Sequence, residues 1–272
     1  MTIPHPGVAP MSEMISQEGF GIEQDSPIPL YYQIRENLRD LILGNRFRPG
    51  DMIPSERELS RIYQVNRLTV RQAVTELVNE GVLRRQHGVG TFVSEPKITQ
   101  TMPELKGFTD RMIQANHRPS SRLIQLQEEL ATERAAHPLR LPPGAPVIRL
   151  VRLRLADDEP FMLETTFLPR ALFPNLKAHD LEHESLYHVM SECYGIQVVE
   201  ADEIIEPVTL TAYEAETLQA GTNMLALLVE GTVYTHGRQP VEFTKSIVRG
   251  DKARYHFRIH RSGGETTSRI DP

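Results

Sequence analysis

Two arginines in the second half of this chain, Arg152 and Arg154, have the residue type and spacing that suit anion binding. They belong to a strand-like stretch, residues 147–155, in which alternate residues point to opposite faces. Both guanidinium groups should therefore lie on one face, where together they can hold a phosphate or a carboxylate. The alternative is a solvated strand face on which the two arginines only pair with nearby acids.

Other polar residues are expected to complete this anion site. If the following hairpin has a three-residue loop, Glu164 returns to the arginine face, where it would orient the arginines or accept a ligand hydroxyl. Two segments that resemble helix starts would add hydroxyls and free backbone N–H groups, and a strand acid would add another acceptor. These further candidates are Phe108, Thr109, Ser185, Tyr187 and Glu242.

A second set of candidates lies in residues 27–94, which carry ten arginines and seven acids in a chain of net charge −6. A basic segment in an acidic chain favours nucleic-acid binding by that segment alone. Ser55 and Glu58 have the spacing of a capping box, and Asn66 is a good N-cap for the next helix. An apolar stripe in this second helix predicts its core face: Val70, Ala73, Val74, Leu77 and Val78.

A glycine-tipped hairpin is predicted after these helices, and this order of elements is typical of a winged helix-turn-helix. The second helix would enter the major groove, where arginine pairs with guanine, glutamine with adenine and the threonine methyl with thymine. The wing would approach the duplex through its glycines. The expected DNA contacts are Arg57, Asn66, Arg67, Thr69, Arg71, Gln72, His87, Gly88 and Gly90.

Strand-like stretches at 147–155, 161–167, 226–234 and 241–248 alternate with helix-like stretches at 185–195 and 211–221. They predict an antiparallel sheet with helices in the second half, and hence an α+β protein. Three histidines, at 179, 183 and 188, are expected to be surface residues, and Cys193 is expected to pack within a helix. We therefore expect no metal and no other cofactor.

Residues 27–94 closely resemble the DNA-binding domain of GntR-family regulators. The motifs that carry the resemblance are PLYYQI (29–34), PGD (49–51), PSEREL (54–59), RLTVRQA (67–73) and GVGTFV (88–93). The resemblance implies DNA contacts from Arg57, Arg67, Thr69 and Arg71, with the wing glycines at the minor groove. Asn66 stands where the family usually has serine.

Residues from about 105 to 260 resemble the HutC-type branch, whose effector module is the UTRA domain, with a fold similar to chorismate lyase. Its motifs are FTDRM (108–112), RLRLAD (152–157), EP (159–160), ETT (164–166), LP (168–169), SLY (185–187), YGI (194–196), PVE (240–242) and RGD (249–251). The chain departs from the family at Val248 and in a longer stretch at 252–255, so Tyr255 is not assigned as a ligand contact. The smaller Val248 is expected to admit a bulkier ligand.

Together these patterns predict a disordered tail (1–25), a winged helix-turn-helix domain (26–94), a linker (95–104), a UTRA effector and dimerisation domain (105–262) and a second disordered tail (263–272). No signal peptide or long apolar run is present in the sequence, which favours a cytoplasmic protein without a membrane partner.

The function expected from the resemblance is that of a homodimeric repressor, released from a palindromic double-stranded operator by a small anionic metabolite such as a phosphorylated sugar. Two alternatives remain open at this point. One is a constitutive DNA-binding dimer whose C-terminal domain only dimerises. The other is an enzyme of lyase-like fold, which the attached DNA-binding domain disfavours because fold alone does not carry function.

Overall fold

The computed structural model describes residues 22–102, 105–222 and 224–257. Residues 1–21 of the predicted N-terminal tail, and the whole predicted tail at 263–272, lie outside the described residues. Residues 22–25 differ from the expected disorder, because Ile22 packs on the first core and Glu23 exchanges hydrogen bonds with Gln33. No helix in the described ranges is long and apolar enough to cross a membrane.

Three helices and a hairpin form the N-terminal domain: α1 (Leu30–Leu43), α2 (Glu56–Ile62), α3 (Arg67–Asn79), β1 (Leu83–Gln86) and β2 (Gly90–Val93). The predicted capping box is present, since the Ser55 side chain accepts from the Glu58 backbone and the Glu58 side chain accepts from the Ser55 backbone. Four of the five stripe residues of α3 are fully buried, and Val78 packs beside them. The helices thus converge on one apolar core, which fixes α3 relative to the wing.

A six-stranded antiparallel sheet, in the order β4-β5-β6-β9-β8-β7, forms the second domain. Its strands are β4 (Pro119–Leu130), β5 (Pro146–Ala156), β6 (Glu159–Pro169), β7 (Glu200–Thr209), β8 (Leu225–Thr235) and β9 (Gln239–Arg249). The four central strands are those predicted from the sequence. The edge strands β4 and β7 are not, because their residues are mostly polar or half-exposed and lack a clear alternation.

Short helices pack on this sheet: α4 (Phe108–Gln114), α5 (Glu133–Ala136), α6 (Leu186–Tyr194) and α7 (Ala212–Thr217). The predicted helix at 211–221 is wrong in length, since α7 ends at Thr217 and Gln219 has a positive φ of 50°. The prediction that Cys193 is packed is also wrong, because it is exposed on α6.

The segment expected to be a linker, 95–104, contains a strand, β3 (Ile98–Met102), which pairs in parallel with β10 (Ala253–Phe257). Beside this ladder the Lys97 ammonium donates to the Gly250 carbonyl oxygen at 2.7 Å. The turn between β9 and β10 also reaches the N-terminal domain, because a Cβ on Gly81 would lie 2.6 Å from Asp251 Cα. The two domains therefore meet at a close backbone contact, which only glycine allows at position 81.

Replacing Gly81 with alanine should destabilise the protein for two reasons. The residue has a positive φ of 75°, and an added Cβ would collide with Asp251. Gly50 is the matched control, since its φ is 86° and nothing lies within 4 Å of its Cβ position. We expect Gly81→Ala to lower the thermal-unfolding midpoint clearly more than Gly50→Ala; equal losses would contradict the contact with Asp251.

Candidate functional sites: a buried polar cavity and a basic face

The β5–β6 hairpin sets Glu164 directly opposite Arg152. The expected three-residue loop is wrong, because the turn has two residues, Asp157 and Asp158, both with positive φ. A bulge shifts the register between Arg154 and Leu155 and adds one residue on the β6 side. The two turn residues and the one bulge residue together add three residues, as a three-residue loop would. Glu164 therefore lies opposite Arg152, as expected.

Both arginines of the anion clamp are buried, with 3% of each residue exposed, so the alternative of a solvated strand face is wrong. Arg152 Nη2 donates to Glu164 Oε1 at 2.6 Å, and Arg152 Nη1 donates to the Leu181 carbonyl oxygen at 3.4 Å. Arg154 Nη2 donates to Thr109 Oγ1 at 3.4 Å, and its guanidinium lies 4.4 Å from the centre of the Phe108 ring. Arg152 is therefore hydrogen-bonded to the Glu164 carboxylate, whereas Arg154 Nη1 lies 3.9 Å from the same Oε1 and is held more weakly.

Several polar atoms of charged or ionisable side chains around the arginines have no hydrogen-bond partner among the described residues. They are Arg111 Nε, Arg152 Nε, Arg154 Nε, Arg154 Nη1 and Glu242 Oε2. A buried polar group without a partner costs about 1–3 kcal/mol, and more when it is charged. Such a concentration of polar atoms without protein partners calls for hydrogen-bond partners from outside the chain, such as a ligand, an ion or ordered water.

The electrostatics of the two carboxylates differ. Burial works to raise the pKa of Glu164, but attraction to Arg152 and Arg154 holds that pKa below its usual value. Burial, reinforced by the repulsion of Glu164, raises the pKa of Glu242 to about 8. Burial also lowers the pKa of Arg154 to about 10, so this arginine stays charged at neutral pH. Near pH 7 the site thus combines an ionised Glu164 with a protonated Glu242.

These groups surround a cavity of about 60 Å³, hereafter the effector cavity. Seven of the eight effector residues predicted from the sequence line it: Phe108, Arg152, Arg154, Glu164, Ser185, Tyr187 and Glu242. The eighth, Thr109, contacts it through Arg154. A volume of this size holds a few water-sized groups at most, since one water needs about 10–15 Å³. The cavity therefore suits the charged group of a ligand rather than a whole sugar.

Sequence reasoning missed several lining residues, among them Arg111, Glu203, Ser246 and Tyr255. Arg111 lies one helical turn after the assigned Phe108, so helical spacing was the available signal. Val248 lines the cavity and is 1% exposed, as its departure from the family pattern had suggested. A second cleft, of about 740 Å³, shares Arg111, Tyr187, Glu203 and Tyr255 with the cavity, and its lining also includes Phe257.

The expected DNA-contacting residues lie around α2, the start of α3 and the wing. Most of their side chains are exposed: Arg57, Asn66, Arg67, Arg71, Gln72 and His87. Thr69 is half-buried. A groove of about 810 Å³ runs between these elements, with Arg57, Arg67, Arg85 and His87 in its lining. Cationic side chains along a groove of this kind suit a phosphate backbone.

One of these residues, Asn66, also has the structural role predicted for it from the sequence. The Asn66 side chain accepts from the Leu68 backbone N–H at 2.9 Å and so caps α3. A Cβ on Gly90 would lie 2.8 Å from Met52 Sδ, but Met52 is an exposed, flexible side chain that can move away, so packing does not require a glycine there. Gly88, in contrast, has a positive φ of 73° and open space around it. Contact with DNA by all three remains a prediction.

Comparison with known proteins identifies both domains. A model described as bacterial regulatory proteins, gntR family, matches residues 30–93, and a UTRA domain model matches residues 114–254. The chain belongs to the GntR family of bacterial regulatory proteins. The HTH-type transcriptional repressor NagR of Bacillus subtilis (strain 168) is 37% identical, over 85% of this chain and 95% of its own length.

Two further comparisons cover most of the chain. The histidine utilization repressor of Pseudomonas putida is 27% identical, over 93% of this chain and 98% of its own length. The crystal structure of PhnF from Mycobacterium smegmatis aligns with a TM-score of 0.59 at 30% identity, covering 84% of this chain and 99% of that one. The HutC-type resemblance and the α+β fold predicted from the motifs are confirmed. This GntR-family chain is a DNA-binding regulator with an effector domain.

The raised pKa of Glu242 predicts a pH dependence of stability. The folded chain keeps a proton on this carboxyl up to about pH 8, whereas the ordinary value is 4.5, so the unfolded chain releases the proton earlier. The free energy of unfolding should therefore fall as pH rises between these two values. Glu242→Gln imitates the protonated carboxyl and should flatten this part of the curve of unfolding midpoint against pH.

Glu203→Gln is the control for this measurement, because Glu203 lines the same cavity but is exposed. It should leave the slope of the wild-type curve unchanged. Identical slopes for the wild type and Glu242→Gln would mean that Glu242 titrates normally.

Proposed function

We propose that this GntR-family regulator is a repressor, released from its operator when a small anionic metabolite binds in the effector cavity. The observation that carries this proposal is Arg154, a buried charged side chain with two nitrogen atoms, Nε and Nη1, that have no hydrogen-bond partner among the described residues. An anion would accept hydrogen bonds from both nitrogens and offset the buried charge. The repressors named among the relatives support the sign of regulation.

The charge balance of the effector cavity favours a dianion. Arg111, Arg152 and Arg154 bring three positive charges, and Glu164 brings one negative charge. Glu242 is protonated near pH 7, which leaves an excess of two positive charges, with Glu203 at the exposed edge. A phosphate monoester carries a charge between about −1.5 and −2 at pH 7 and would balance this excess. A neutral sugar would leave this excess of two positive charges without counter-charge.

The rest of the ligand is proposed to carry hydroxyl groups. Ser185, Tyr187, Ser246 and the unpaired Oε2 of Glu242 face the effector cavity and can exchange hydrogen bonds with hydroxyls. Beyond them the shared cleft, of about 740 Å³, has the size of an ordinary small-molecule site. A phosphorylated sugar, with its phosphate at the arginines and its ring towards the cleft, fits this distribution.

The route of regulation is proposed to run through β9 and β10. β9 carries Glu242, Ser246 and Val248 at the effector cavity and ends at the turn that contacts Gly81. β10 brings Tyr255 to the cavity and pairs with β3, which follows the wing. A ligand that shifts either strand would therefore move the DNA-binding domain. Because coupling free energy is reciprocal, operator DNA must weaken ligand binding by the same factor.

We propose further that the protein is cytoplasmic and acts as a homodimer. A homodimer has two identical DNA-binding domains, which would bind the two half-sites of a palindromic operator. We also infer that the effector domain senses its ligand without converting it. The resemblance of a UTRA domain to a lyase concerns the fold, and fold alone does not carry function. Turnover of a bound sugar phosphate would contradict this inference, and a constitutive DNA-binding dimer would bind no such ligand.

A thermal-shift experiment tests the effector cavity. Hexose 6-phosphates, inorganic phosphate and the corresponding unphosphorylated sugars are added to the full-length protein. A phosphorylated ligand that binds the native state at about 100 times its Kd should add about 2.7 kcal/mol to the free energy of unfolding and raise the midpoint. Arg154→Met should remove this shift while operator binding persists, because Arg154 lies in the effector domain.

Arg149→Met is the matched control for this experiment. Arg149 lies on β5 as well but on the opposite face from Arg154, so its variant should keep the ligand-induced shift. A shift that survives in Arg154→Met, or one that the unphosphorylated sugars also produce, would contradict an anion site at the arginines.

A binding experiment tests whether Arg71 contacts a base directly. If Arg71 reads a base, Arg71→Ala should cost about 1–3 kcal/mol of binding free energy on the operator and relax the preference at one base-pair position. Electrophoretic mobility shifts with single-base-pair variants of the operator would measure this. An equal loss on every DNA sequence would assign Arg71 to the phosphate backbone instead.

A further inference from the structure

An acidic residue, Glu56, lies within the basic face of the DNA-binding domain. It is the first residue of α2, and 22% of its side chain is exposed. Its Oε2 accepts from Arg71 Nε at 3.0 Å, and its Oε1 accepts from Arg85 Nη2 at 3.4 Å. Arg85 Nη2 also donates to Thr75 Oγ1 at 2.9 Å. One carboxylate thus connects α2, the recognition helix α3 and the wing strand β1.

The position of this carboxylate is unfavourable for simple attraction to DNA. A negative charge beside the phosphate backbone weakens binding to every sequence. The ion pairs of Glu56 involve side chains that are half-exposed, 54% for Arg71 and 44% for Arg85, and exposed pairs contribute little to stability. General affinity for DNA therefore does not account for an acid at this place. The helix dipole favours an acid in the first turn of α2, but this effect does not require contact with the two arginines.

The hydrogen-bond geometry gives Glu56 a different role. A guanidinium group can meet a guanine through its end, with both Nη atoms, or through its side, with Nε and one Nη. Arg71 Nε already donates to Glu56, so the pair of Nε and one Nη is not available to a base. The two Nη atoms remain available for a base. Binding of Arg85 by the same carboxylate fixes the wing strand relative to this arginine.

We infer that Glu56 is a positioning residue for base recognition: it holds Arg71 in the orientation that presents its two Nη atoms to one base pair and aligns the wing through Arg85. This inference rests on the proposed function, in which Arg71 contacts a base. Glu56 accordingly lowers the affinity for DNA of any sequence but increases the preference for that base pair.

The test uses the full-length wild-type protein to select its preferred duplex from a pool of random sequences. Fluorescence anisotropy then measures binding to this duplex, to its single-base-pair variants and to a shuffled duplex. Glu56→Gln should lower affinity for the selected duplex about tenfold and leave affinity for the shuffled duplex equal or higher. The preference should be lost at the same base pair as in Arg71→Ala, and the double variant should be no weaker than Arg71→Ala alone.

Two further variants separate charge from position. Glu56→Asp keeps the charge at the start of α2 but withdraws the carboxylate from both arginines, so it should lose the base preference and keep the wild-type affinity for the shuffled duplex. Glu95→Gln removes the same charge from an exposed acid just after the wing. It should leave the base preference intact.

Each other outcome overturns the inference. Unchanged base preference in folded Glu56→Gln and Glu56→Asp would remove the positioning role. Equal loss of affinity for both duplexes, with a lower unfolding midpoint, would leave Glu56 a structural role only. If the wild-type protein selects no sequence from the pool, the proposed operator binding fails as well, and this result is distinguishable because it does not depend on any variant.

Discussion

The buried positive charge on β5 is the constraint on which the effector domain depends. Taking a charged group out of water costs several kcal/mol unless a partner compensates it. Glu164 compensates Arg152 directly, and the register of the β5–β6 hairpin delivers it to that place. Arg154 lies farther from the same carboxylate, with its Nη1 3.9 Å from Glu164 Oε1, and otherwise contacts the Thr109 hydroxyl and the Phe108 ring. The domain therefore holds two buried positive charges that are unequally compensated, and this imbalance is the basis of the proposed anion site.

The DNA-binding domain is organised by local rules instead. The capping box at Ser55 and the Asn66 cap fix where α2 and α3 begin, and the apolar stripe of α3 fixes which face is buried. Once these are set, the exposed side of α3 follows from the helical period. The charged face of this domain thus forms from contacts within the domain and does not depend on the effector domain. The surface that binds DNA is in this sense separate from the part that is proposed to regulate it.

The difference between local and distant interactions also explains how much the sequence predicts. Caps, the α3 stripe and the arginine face of β5 depend on neighbouring residues, and these predictions agree with the structure. β3 was missed because its partner, β10, lies far away in the sequence, and β4 and β7 because edge strands carry polar residues. Seven of the predicted effector residues line one cavity, and helical spacing from Phe108 could also have identified Arg111. Glu203 and Tyr255, in contrast, join the cavity only through tertiary packing, which no short-range pattern records. The role of Glu56 likewise depends on two arginines from other elements.

The parallel ladder between β3 and β10 has a consequence for biosynthesis. Its partners are 155 residues apart, as the hydrogen bond from Arg254 to Thr99 illustrates. Contacts of such long range form late, whereas the helices and wing of the first domain contact one another within a short stretch of chain. As domains generally fold in order of synthesis, the DNA-binding domain would be complete on the ribosome before β10 emerges. A nascent or C-terminally truncated chain would then have a folded DNA-binding domain whose DNA binding the effector domain could not yet regulate.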